Sequence, residues 1–82
     1  MQPDEVDAAK NLGNLLSAAG DFRQARYHFE IALRLRPEDA ANRYNFAMAL
    51  GRARHFDEAQ QQLEASLRID PELADAHLLL AD

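Results

Sequence analysis

The chain has no cysteine and no tryptophan among its 82 residues. Without cysteine there is no disulfide framework, no thiolate metal site and no cysteine nucleophile, and the compartment stays open with a cytoplasmic setting favoured. Glycine and proline occur three times each, too few for a turn-rich β fold or a disordered linker. Long apolar runs are also missing: none approaches the roughly 18 residues that span a bilayer, so no membrane insertion is expected. The acidic start MQPDEVD is unlike a secretory leader. Basic residues are scarce, nine Lys and Arg against fourteen Asp and Glu, for a formal charge of -5. That balance excludes a phosphate-tracking nucleic-acid surface and favours neutral or basic partners.

What is present is periodic. Pro37 and Pro71 stand 34 residues apart, and sliding the chain by 34 pairs Asn11 with Asn45, Leu16 with Leu50, Ala19 with Ala53 and Phe22 with Phe56. The same shift pairs Ala25 with Ala59, Glu30 with Glu64, Leu33 with Leu67 and Arg34 with Arg68, with conservative matches such as Leu12 and Phe46 between them. A repeat at fixed spacing is the mark of a stacked architecture. The ruler divides the chain into an extension at 1–5, repeats at 6–39 and 40–73, and the opening helix of a third repeat at 74–82.

Each repeat reads as two helices. In the first, Ala8, Leu12, Leu15, Leu16 and Ala19 form one apolar stripe, and Phe22, Ala25, Phe29, Ala32 and Leu33 form another. Gly20 suits the left-handed residue that ends a helix, and Asp21 suits the cap of the next. Arg54 and His55 replace that pair in the second repeat, which puts a non-glycine residue at positive φ and leaves a poorer cap, at a cost of about 1 kcal/mol. The prolines end the outgoing helices, because a residue before proline is pushed out of the α region. Small Gly13, Ala25, Ala32, Ala47 and Ala59 leave room for Phe22, Phe29 and Phe56 to pack. Arg26, Glu30 and Arg34, like Glu64 and Arg68, fall at i, i+4 and support exposed helix faces.

The stretch NLGNLLSAAGDFRQARYHFEIALRLRP resembles a tetratricopeptide repeat: it has the leucine-glycine pair, the glycine-aspartate-aromatic turn, the alanines and the closing proline. Departures are Ala9 and Arg43 where the family often has tryptophan, Leu16 and Leu50 where it often has tyrosine, and Ser66 where it has alanine. The resemblance implies an all-α right-handed superhelix of helical hairpins whose concave groove, lined by each first helix, takes a protein or peptide segment. In the family's register the groove side chains are Asp7, Lys10, Asn14 and Ser17, then Tyr44, Asn45, Met48 and Arg52, then Asp75, Leu78 and Asp82. Tyr44 and Met48 share a helix face and serve either as ligand contacts or as packing between hairpins.

Some family members clamp the acidic carboxyl terminus of heat-shock chaperones. Lys10, Asn14 and Asn45 match three of their clamp positions, but Asp75 and Leu79 occupy the two that need positive charge, so the clamp is incomplete. Chemistry is equally incomplete. His28, His55 and His77 are 27 and 22 residues apart and form no helical metal pair. Ser17 and Ser66 sit in no nucleophile motif, and the glycines form no phosphate loop. The chain is read as a non-enzymatic interaction module without cofactor, a segment of a longer array. The run HLLLA, with Leu78, Leu79 and Leu80, would need covering and offers a homodimer contact through the third helix. Two other roles remain open, a self-assembling structural unit and an accessory domain of an enzyme.

Overall fold

A computed structural model of the chain describes residues 5–73. Four helices follow one another: α1 (Glu5–Ala18), α2 (Phe22–Leu35), α3 (Ala40–Arg52) and α4 (Phe56–Ile69). α1 packs against α2 and α3 against α4, giving two hairpins, and α3 also lies against both α1 and α2. The described residues are all-α, as the periodicity predicts. The third helix expected over 74–82, with His77, lies outside them.

The turns follow from local chemistry. Gly20 takes φ +88°, open to glycine because it has no Cβ, and Asp21 caps α2 by accepting from the Gln24 backbone N–H at 3.3 Å. In the second hairpin Arg54 is held at φ 69° and His55 makes no capping bond. Asp39 caps α3 through the Asn42 N–H at 3.1 Å.

Gly13 is the small residue that lets α1 approach α2. A Cβ built there would lie 2.9 Å from the Phe29 ring. Phe29 is fully buried, and it stacks on Phe46 of α3 with ring centroids 5.4 Å apart. Ala25, Ala49 and Leu50 complete that core, and a second cluster joins Val6, Ala9 and Ala32. Polar groups are buried too: Ser66 donates to the Leu63 carbonyl at 2.7 Å, and Asn42 Nδ2 donates to the Phe29 carbonyl at 3.3 Å.

Two packing expectations are corrected. The α1 stripe of Ala8, Leu12, Leu15 and Ala19 does not face the core: Leu15 is 67% exposed and Leu12 43%, and Ala8 and Ala19 are exposed. The helix instead buries Val6, Ala9 and Gly13, with Val6 and Ala9 in the cluster of Ala32 and Gly13 against the Phe29 ring. Phe56 is 62% exposed, although its counterpart Phe22 packs against the core. Phe22 has the second hairpin beside it, and no described helix stands in that position for Phe56.

Candidate functional site

The α1–α3 surface is built by helices from successive repeats lying side by side. Side-chain bonds tie them. Lys10 Nζ donates to Asp39 Oδ2 at 3.0 Å, at the start of α3, and Arg52 Nη1 donates to Ser17 Oγ at 3.3 Å, at the far end. Lys10, Ser17 and Arg52 therefore share one surface, with Asn14 exposed between them and Tyr44, Asn45 and Met48 half-buried along α3. Asp7 is exposed and 3.9 Å from Lys10. Asp75, Leu78, Leu79, Leu80 and Asp82 lie outside the described residues.

Charge on this surface is largely spent internally. Lys10 faces two carboxylates, Asp39 and Asp7. Desolvation pushes the Asp39 carboxyl up, but the Lys10 hydrogen bond, the Asn42 N–H and the positive charges of Lys10 and Arg36 outweigh it and hold the group below the usual carboxylate range. Lys10 is thus a strut between helices, not a cation waiting for a ligand carboxylate, and the chaperone-type clamp loses one of its three matches.

The opposite side carries a bridge that reading along one helix does not find. Arg26 pairs with Glu30 at i, i+4, as expected, with Nε 3.2 Å from Oε2. It also crosses to α4, where Nη2 donates to Glu58 Oε2. The Arg26 hydrogen bond and charge lower the Glu58 carboxyl; the Glu58 bond, outweighing desolvation, raises the Arg26 guanidinium in turn. Only the signal of a long arginine on a face turned to the next hairpin, with an acid 32 residues on, could have pointed to it. Glu64 accepts from Gln60.

Among the described residues the histidines stand apart. His28 meets Tyr27 edge to face at 5.2 Å, and His55 stacks on Phe22 at 5.1 Å with Nδ1 3.6 Å from Glu58. Each has a packing role, and no group of three His, Asp or Glu among these residues could hold a metal ion. No described helix is long and apolar enough to cross a membrane. An apolar recess of about 460 Å³ opens between α3 and α4, lined by Ala47, Met48, Gly51, Ala59 and Leu63 together with Arg52 and Gln60.

A family model described as Tetratricopeptide repeat matches residues 16–82. No curated protein matches the chain, and no solved structure does.

Proposed function

Because the chain belongs to the tetratricopeptide repeat family, we propose that it is a soluble, non-catalytic protein-interaction module, with repeats at 6–39 and 40–73 and a third opening at 74–82, whose α1–α3 surface receives a peptide segment of a partner. The observation that carries this is the cross-repeat pairing of Lys10 with Asp39 and Arg52 with Ser17, which fixes two helices into one continuous polar surface without help from a ligand. A preformed surface lowers the ordering cost of binding. Asn14 offers an amide that can pair with an extended backbone, and Met48 offers an adaptable apolar contact four residues from Tyr44. With Lys10 neutralised by two acids, the ligand is a mixed polar and apolar segment, not an acidic carboxyl terminus.

Panning the full chain against a displayed library of random peptides tests this reading. Binders should be recovered, and Asn14→Ala, Met48→Ala and Arg52→Glu should each weaken them by roughly tenfold, which is about 1.4 kcal/mol, with unchanged helical content. Recovery of no binders, or of binders indifferent to all three substitutions, overturns it.

A further inference from the structure

Within the apolar boundary between the hairpins lies a buried amide. Asn42 of α3 is fully buried, and its Nδ2 donates to the Phe29 carbonyl of α2 at 3.3 Å. The shift of 34 residues puts Ala8 and Ala76 at the same register position, so alanine serves there elsewhere in the chain. The amide costs more to bury. Its Oδ1 has no hydrogen-bond partner, and an unpaired buried acceptor lowers stability. What the amide adds is direction, because its Nδ2 needs an acceptor that is open to it.

A helical carbonyl already accepts from the N–H four residues on, which leaves one lone pair for a side chain. On α2 that lone pair of Phe29 goes to Asn42. On α4 the counterpart of Phe29 is Leu63, and the counterpart of Ala32 is Ser66. Ser66 is fully buried, and its hydroxyl donates to the Leu63 carbonyl at 2.7 Å. The matching acceptor of the second hairpin is therefore taken from within its own helix. An amide arriving there would meet an extra oxygen in a closely packed boundary and no open carbonyl.

We propose that Asn42 and Ser66 together determine which hairpin α3 packs on: the amide selects the first hairpin by its open carbonyl, and the hydroxyl keeps α3 off the second hairpin of another copy. Apolar packing discriminates poorly between the two. The seat of α3, Phe22, Ala25 and Phe29, recurs on the second hairpin as Phe56, Ala59 and Leu63. A helix with alanine in this register makes no demand on the carbonyl, whereas α3 does. Buried polar residues fix the pairing of helices in coiled coils in the same way, at a cost in stability. The neighbouring Asp39 adds to the effect, since it caps α3 through the Asn42 N–H and holds Lys10 of α1. One turn of α3 thus sets its place against both helices of the first hairpin. This ordering of the repeats holds whether or not the α1–α3 surface takes a peptide.

Placing the second hairpin's residue in the first tests the proposal. Ala32→Ser gives α2 a hydroxyl that competes for the Phe29 carbonyl, and Asn42→Ala removes the competing amide. Urea unfolding of the full chain, as wild type, as each single variant and as the double variant, measures the coupling between them. Ala32→Ser should lower the folding constant about tenfold more with Asn42 present than with alanine there, so that Asn42→Ala rescues the serine. Folding of Ala32→Ser only in the Asn42→Ala background is the same result in its extreme form. Ser66→Ala should have one effect in both backgrounds, within about twofold, because it acts on a different carbonyl. An equal cost of Ala32→Ser in both backgrounds overturns the proposal, since the amide would then donate to a hydroxyl as readily as to the carbonyl. Failure to fold in both overturns it as well, since the hydroxyl would be excluded by its bulk and not by the amide. So does coupling of Ser66→Ala to Asn42→Ala.

Discussion

Gly13 and Gly51 lie inside helices, where replacement by alanine ordinarily gains up to about 1 kcal/mol because glycine loses more chain entropy on folding. Their surroundings give them opposite signs. A methyl at Gly13 would sit 2.9 Å from two carbons of the Phe29 ring, and that ring is fully buried and stacked on Phe46, so it has nowhere to go. Overpacking of this kind costs roughly 1–3 kcal/mol. Gly13→Ala should therefore lose on the order of 1 kcal/mol net in urea unfolding, whereas Gly51→Ala, with open space around it, should gain by up to about 1 kcal/mol. Equal effects from the two would refute the packing argument. The role of Gly13 was legible in the sequence because a small residue stood in register with Ala47 near bulky Phe29. The burial of Asn42 was not, since its partner is a main-chain carbonyl of the preceding hairpin.

At the scale of elements, the turns were readable because they depend on neighbours in sequence. Gly20-Asp21 and Arg54-His55 differ in two side chains, and the structure shows both consequences, a strained φ of 69° at Arg54 and no side-chain cap at His55. The outward facing of Leu12 and Leu15 was not readable, because periodicity says that a helix has an apolar stripe but not which neighbour covers it. α1 and α3 share one pattern, and among the described residues it is α3 that has a hairpin to pack against on that face. The turn asymmetry yields a prediction of opposite signs. Holding a non-glycine residue in the left-handed region costs roughly 1–2 kcal/mol, and glycine returns about 0.5–1 of that as unfolded-state entropy. Arg54→Gly should raise stability by about 0.5 kcal/mol, a shift of roughly 2–4 °C in Tm for a chain of this size. Gly20→Ala, at φ +88°, should lower it by about 1 kcal/mol. Thermal melts followed by circular dichroism at matched concentration would read both, and a destabilised Arg54→Gly would show that the left-handed arginine is not strained.

At the scale of the whole fold, the described residues form two hairpins joined by the apolar contact of α3 with α2, by the Asn42 bond to the Phe29 carbonyl and by pairs between side chains that include Lys10 with Asp39, Arg52 with Ser17 and Arg26 with Glu58. Two of these pairs depend on a carboxylate held below its ordinary range, Asp39 and Glu58. The family register indicated which residues stand on the α1–α3 surface, but not that the bridges consume their charges, because that requires the distance between repeats. A consequence for pH follows. Each carboxyl binds its proton more weakly in the folded chain than in the unfolded one, so the unfolded state takes up more protons as pH falls through the unfolded carboxylate range near about 4. The stabilisation is therefore complete above that range, and it is lost as pH falls toward the lower folded values. Protonation also removes the acceptors that hold the hairpins together, so acid should loosen the boundary between them before it melts either one. Unfolding free energies from urea titrations between pH 7 and pH 3 should decline, and Lys10→Met should show a shallower decline, because without Lys10 the Asp39 carboxyl loses the partner that depresses it while its burial remains. Parallel curves for the two proteins would show that Asp39 draws no stability from Lys10, and would place the acid sensitivity of the boundary at Glu58.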